Sequence, residues 1–99
     1  MVPGWIWDPR KDALNRQRHQ GLSLSAGIPV LNGDPLAISR RDPHPDDDRW
    51  QTIGSAAGVV VLFVVHTEPL EQEDGRIISV RKATARERRT YEEGDFQGS

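Results

Sequence analysis

Residues 49–67 read RWQTIGSAAGVVVLFVVHT. The first part alternates, with Trp50, Thr52 and Gly54 on one side and Gln51, Ile53 and Ser55 on the other, which is the period-two pattern of a strand. Ala56-Ala57-Gly58 offers a small-residue turn, so the chain is expected to double back as a hairpin. Val59 to Val65 is then continuously apolar and β-branched apart from Leu62 and Phe63. Such a run fits a strand covered on both faces and predicts the centre of the sheet.

Working outward, Glu68 to Gly75 is acidic, contains Pro69 and ends in Asp74-Gly75, a strong turn signal. Arg76 to Lys82 alternates again, with Ile78, Val80 and Lys82 expected on one face and Ile77, Ser79 and Arg81 on the other. Thr84-Ala85-Arg86-Glu87 fits a capping box and predicts a helix through Tyr91 to about Glu93, stopped by Gly94. On the N-terminal side, Asp42 to Asp48 (DPHPDDD) reads as a surface loop and Leu36-Ala37-Ile38 as a short strand. Trp5-Ile6-Trp7 suggests another strand. Asp8-Pro9 is a helix start, because Asp accepts free amide protons and Pro lacks only a donor that would be unused there. That helix should run to about His19, with Gly21 as terminator and a thin apolar stripe of Ala13 and Leu14. Between Leu22 and Asp34, Ser23 could cap a helix that Gly27 and Pro29 oppose, so a broken helix or a loop is expected. The sum is an α+β fold: a small antiparallel sheet of about four strands with flanking helices, in one domain over residues 1–94. Residues 95–99 read as a disordered tail or a vector-derived scar.

Composition narrows the class. The chain has 99 residues and no Cys, which excludes a disulfide scaffold and a Cys-ligated zinc module. Its longest apolar run is far short of the ~20 residues a membrane-spanning helix needs. Met1 to Asp8 has neither the basic start nor the apolar length of a secretory signal, so a soluble cytoplasmic protein with no membrane partner is expected. Thirteen basic against fifteen acidic residues give a net charge of −2. The distribution is uneven. Arg76 to Arg89 carries six basic residues against Glu87 alone, and Arg10 to His19 carries four against Asp12, with His19 in addition. Folded together, the two segments would make a local positive patch suited to a phosphate backbone; apart, they are solvated helix faces.

The residues also form a recognisable series. Trp7-Asp8, Lys11, Asn15, Arg18, His19 and Gly21 are followed by Asp34-Pro35-Leu36-Ala37, RWQTIG at 49–54, Thr67-Glu68, and IISVRKAT at 77–84 with Glu87, Arg88, Tyr91 and Glu92. In this order, over about residues 5–94, the series resembles the BrnT family of bacterial toxins. The resemblance implies a RelE-like fold, a ribonuclease that cleaves RNA and arrests translation, and neutralisation by a BrnA-like ribbon-helix-helix antitoxin. Operator DNA would be reached only through that antitoxin. Three positions depart from the family pattern: Gln20 separates His19 from Gly21, Leu24 to Pro29 replaces an acidic-aromatic helix, and His66 stands where Tyr is common.

Cleavage by the substrate's own 2′-hydroxyl needs a base, an acid and stabilisation of a pentacoordinate phosphate. The three histidines, His19, His44 and His66, lack metal-ligand spacing, so no metal or cofactor is expected and a metal-independent endoribonuclease is the economical reading. His19 can transfer protons near neutral pH or, alternatively, cap the first helix. Lys11 breaks a local rule by placing a cation in the first helical turn, although a solvated lysine explains it as well. Arg81 can hold a phosphate through paired hydrogen bonds or form a rim salt bridge to an acidic helix residue. Glu87 is a capping-box residue or a base, and Tyr91, on the same helix face, is a core aromatic or a stacking platform. Lys82 faces away from Arg81 and reads as solvated; Asn15 should bond backbone near the first helix; His66 reads as a buried neutral ring or an antitoxin contact. The catalytic reading requires the first helix and the C-terminal strand–helix pair to converge. The alternative is a non-enzymatic, degenerate subunit that binds RNA or antitoxin, and separation of the two basic segments would favour a protein-inhibitor module.

Overall fold

In the computed structural model, which describes residues 4–44, 48–70 and 73–96, the apolar run forms strand β4 (Val60–Thr67). Strand β3 (Arg49–Ala56) pairs with it antiparallel, with Thr52 opposite Val64. The connecting turn places Ala57 at φ 56° and Gly58 at φ 71°, closed by Val59 N–H on the Ala56 carbonyl at 3.1 Å. Two successive positive φ angles match the right-handed twist of the flanking strands, which explains the small residues. Strand β5 (Gly75–Lys82) lies antiparallel on the other side of β4, and β2 (Ile38–Arg41) lies antiparallel beyond β3. The two-residue β1 (Trp5–Ile6) adds to β5 in parallel, giving a five-stranded order β1-β5-β4-β3-β2. Expectation and structure agree on α+β and on β4 at the centre. They differ at this edge: the sheet is mixed, because β1 runs alongside β5 rather than joining the meander. The middle of the acidic loop, 45–47, lies outside the described residues, as do 71–72.

Both faces of β4 are covered. Leu62 and Val64 pack with Val80, Ile77, Leu24 and Val30, all almost completely buried. Phe63 faces the other way, against Ile53, Ala83 and Tyr91. Strict alternation fails in β5. The register shifts between Val65 and His66, so that Val65 faces Ser79 but His66 faces Ile77. Ile78 is the extra residue of a bulge, and Ile77 therefore joins Val80 in the first core instead of lying opposite it.

The segment doubtful in sequence is helical in two short pieces. Leu24–Gly27 is a 3₁₀ turn, and α2 spans Ile28–Gly33. Pro29 falls in the first turn of α2, where an amide proton has no intrahelical acceptor, so it does not break the helix. Gly54 is required beneath it: a β-carbon there would lie 2.8 Å from Val30 Cγ1 and 2.9 Å from Ala37 Cβ.

The preceding helix, α1 (Pro9–Arg18), starts as its sequence predicts, with the Asp8 carboxylate accepting from Arg10 N–H at 2.8 Å. Because β1 pairs only with Gly75 and Arg76, the outer border of β5 has no strand beside Val80. The Asn15 side chain takes that place. Its Nδ2 donates to the Val80 carbonyl at 2.8 Å and to the Leu22 carbonyl at 2.9 Å, and its Oδ1 accepts Val80 N–H at 3.1 Å. Thus α1 lies along the sheet border rather than over a face.

Helix α3 (Ala85–Glu93) has both capping-box bonds between Thr84 and Glu87, and ends at Gly94 with φ 78°. Phe96 departs from the disordered tail expected for it: its ring packs against the second core and lies 4.6 Å from the Arg40 guanidinium carbon, while 97–99 lie outside the described residues. No described helix is long and apolar enough to cross a membrane.

Candidate functional site

The C-terminal end of α1 approaches the end of β5, and two adjoining clefts open there. One, of about 310 Å³, has Lys11, Leu14 and Arg18 on its helix wall and Ile78 and Ser79 on its strand wall. Asn15, His19 and Arg49 complete it. The other, of about 290 Å³, is lined by Arg18, His19 and Gln20 from the helix end and by Arg81, Lys82 and Thr84. Arg18 and His19 belong to both. Helical spacing explains the first wall: positions 11, 14, 15 and 18 share one face. His19 follows as the cap of the helix, its backbone N–H bonded to the Asn15 carbonyl at 2.9 Å, with its imidazole half-buried between the clefts.

No carboxylate lines either cleft among the described residues. The contrast is a third cavity of about 280 Å³ on the opposite part of the sheet, where Asp34 and Glu68 stand beside Trp5, Thr52 and His66. There the His66 ring is buried. Its Nδ1 donates to the Thr67 carbonyl at 2.9 Å, and Nε2 shares a hydrogen bond with the Thr52 hydroxyl at 2.6 Å, which in turn meets Ser39 Oγ at 2.7 Å. Burial pushes the imidazole below its ordinary range, because the charged form would lose hydration. That cavity carries two carboxylates, whereas the clefts beside α1 are lined by the basic side chains of Lys11, Arg18, Arg49, Arg81 and Lys82.

The candidate residues therefore separate into two groups. Lys11 and His19 stand with Arg18 at the clefts, and Arg81 and Lys82 reach the second cleft from β5. Arg81 is already engaged. Its Nη1 and Nη2 donate to the two Glu87 oxygens at 2.7 and 2.9 Å, and the guanidinium carbon lies 4.1 Å from the centre of the Phe63 ring. This is the salt bridge to a helix carboxylate that the sequence left open as the alternative to phosphate binding. Burial alone would raise the Glu87 carboxyl, but the Arg81 and Thr84 donors outweigh it and hold the group below its usual value. Glu87 and Tyr91 line neither cleft. The Tyr91 hydroxyl donates to Asp34 Oδ2 at 2.7 Å, and Asp34 also accepts Ser55 N–H at 2.7 Å and Leu36 N–H at 2.9 Å. Burial acts to raise Asp34, yet these three donors keep it low, and the anion in turn raises the Tyr91 phenol.

Arg18 and Ser79 are cleft residues to which the sequence assigned no chemistry, although both lie in the series that resembles the family. Arg18 could have been found, because it repeats the face of Lys11 seven residues on. Ser79 could not, since its position depends on the bulge at Ile78. Among the described residues, no group of three or more His, Asp or Glu side chains is placed to hold a metal ion.

The mixed sheet with α1 along its border and a cleft lined by basic side chains at the helix end defines a small α+β protein. Comparison with known proteins gives the class a family. The sequence model of the family described as "Ribonuclease toxin, BrnT, of type II toxin-antitoxin system" matches residues 7–87, so the chain belongs to the BrnT family. The crystal structure of the Brucella abortus ribonuclease toxin BrnT is similar in fold, with a TM-score of 0.54 at 23% identity, over 84% of this chain and 99% of that one. No curated protein matches the chain.

Proposed function

We propose that the chain is a metal-independent endoribonuclease of the cytoplasm, acting at the two clefts beside α1. The observation that carries this reading is the sharing of Arg18 and His19 by two cavities without a carboxylate. In the proposed reaction the 2′-oxygen of the RNA attacks the adjacent phosphorus as its proton leaves to a base. The P–O5′ bond then breaks, and the 5′-oxygen takes a proton from an acid, leaving a 2′,3′-cyclic phosphate. His19, which lines both clefts, transfers a proton at this centre. Lys11, Arg18 and Lys82 surround the phosphate with positive charge that strengthens its hold on the transition state. Arg81, fixed by Glu87, lends its field to the cleft wall, and Glu87 acts by positioning it. Tyr91 supports the fold through Asp34.

The test is incubation of the purified chain with RNA in the presence of a chelator, with product ends identified by mass spectrometry. Cyclic phosphate ends, lost in His19→Ala and reduced in Lys11→Ala and Arg81→Ala at equal folded content, support the reading. RNA left intact would overturn it in favour of a subunit that only binds RNA or antitoxin, a reading favoured by the engagement of Arg81 with Glu87. The antitoxin of the pair is proposed to be a ribbon-helix-helix protein of the BrnA kind, through which operator DNA is reached, and the fold is proposed to be related to RelE toxins. Induced alone, the chain should arrest growth, and a co-expressed antitoxin should relieve the arrest.

A further inference from the structure

We propose that the two clefts are unequal nucleotide subsites on either side of one phosphodiester: the Leu14/Ile78 cleft takes a base, and the Arg81/Lys82 cleft takes the neighbouring backbone. This rests on the ribonuclease reading above. Arg18 and His19 form the shared boundary, so a phosphate between them has one nucleotide in each cavity. Each volume, about 310 and 290 Å³, sits at the small end of ligand sites and has room for one nucleotide.

The walls differ in chemistry. Leu14, on the helix wall of the first cleft, is 46% exposed. Ile78 lines the same cleft, left out of the first core by the bulge that puts Ile77 there. Two apolar side chains lining one cleft beside Lys11 and Arg18 suit the flat face of a base whose phosphate those cations hold outside. The second cleft has no large apolar wall. Gln20, Lys82 and Thr84 offer charge and hydrogen bonds that any ribose-phosphate can use, with no base discrimination. Cleavage should therefore be biased by the nucleotide on one side of the cut and indifferent to the other.

The experiment uses RNA oligomers randomised at the two positions flanking a single cut, together with a 2′-deoxy dinucleotide as an uncleavable probe. The intact chain should show base bias on one side only. Leu14→Ala should raise KM for the preferred base about tenfold and flatten the bias, the loss expected for a methylene-scale apolar contact. Ile78→Ala checks the same wall independently. Lys82→Ala should lower kcat/KM for all sequences alike. Equal bias on both sides, or bias retained in both Leu14→Ala and Ile78→Ala with folding unchanged, overturns the subsites while leaving the ribonuclease reading in place. If the intact chain cleaves nothing, that reading fails by itself, and dinucleotide titration followed by NMR decides the clefts. Shifts at both Leu14 and Lys82 then support paired subsites, and shifts at one or neither overturn them.

Discussion

Asn15 serves Val80 as a neighbouring strand would: one side-chain amide accepts the Val80 N–H at 3.1 Å and donates to its carbonyl at 2.8 Å. Both residues are buried, so water cannot substitute when the amide is removed. Asn15→Ala is expected to destabilise the fold by about 2–6 kcal/mol, from two orphaned Val80 backbone groups at ~1–3 kcal/mol each. Urea denaturation measures this directly. A loss below about 0.5 kcal/mol would show that α1 is held to β5 by other contacts.

The Arg81–Glu87 pair makes stability depend on acid. Glu87 is held below its ordinary 4.5 in the folded chain. The pair's contribution is thus fully present above 4.5 and disappears as pH falls through the lower folded value. Glu87→Gln should flatten this part of the stability curve, seen as a melting temperature that changes less between pH 5 and about 3 than that of the parent. An unchanged acid slope would mean that the carboxylate gains nothing from Arg81.

Tyr91 and Asp34 give a bell-shaped counterpart. Asp34 is depressed and the phenol raised, so their bond is strongest where the carboxyl is ionised and the phenol is not. Tyr91→Phe should cost about 1–2 kcal/mol at neutral pH, an ordinary figure for a bond to a charged group in a half-exposed place. The difference should shrink as acid protonates Asp34, and again as alkali above 10 removes the phenolic proton from both folded and unfolded chains. A cost independent of pH would point to ring packing alone.

At the clefts, Arg18→Ala should weaken binding of an uncleavable RNA and reduce the slope of log affinity against log salt by about one. Arg16→Ala, two residues away on a different face of the helix and paired with Asp12 at 3.1 Å, should change the slope little. Equal effects from both would place RNA on α1 generally rather than at its end.

Much of this arrangement is written locally. Thr84 and Glu87 announce a helix within four residues, and Val59 to Val65 announces a doubly covered strand, because both signals need only near neighbours. The bulge at Ile78 and the parallel addition of β1 depend on pairings with residues far along the chain, and no window of sequence carries them. Pro29 misled for a related reason: it opposes a helix interior but not a first turn, and only the 3₁₀ turn before it places it there. For the site, the likeness of Lys11, Arg18 and His19 to a helix face was readable from spacing. The engagement of Arg81 was legible only as one of two options, since a guanidinium beside a capping-box carboxylate can serve either.

The outer strand β2 has a consequence for handling. It is four residues long and carries Arg40 and Arg41 in succession, their guanidinium carbons 4.6 Å from the Phe96 ring and 5.6 Å from the Trp50 ring. Two molecules laying these borders together would crowd like charges along a ridge too short to repay them, so fibril growth from this flank is disfavoured. On the other flank, the amide of Asn15 already occupies the bonding positions of Val80 that an incoming strand would need, so strand addition there is blocked as well.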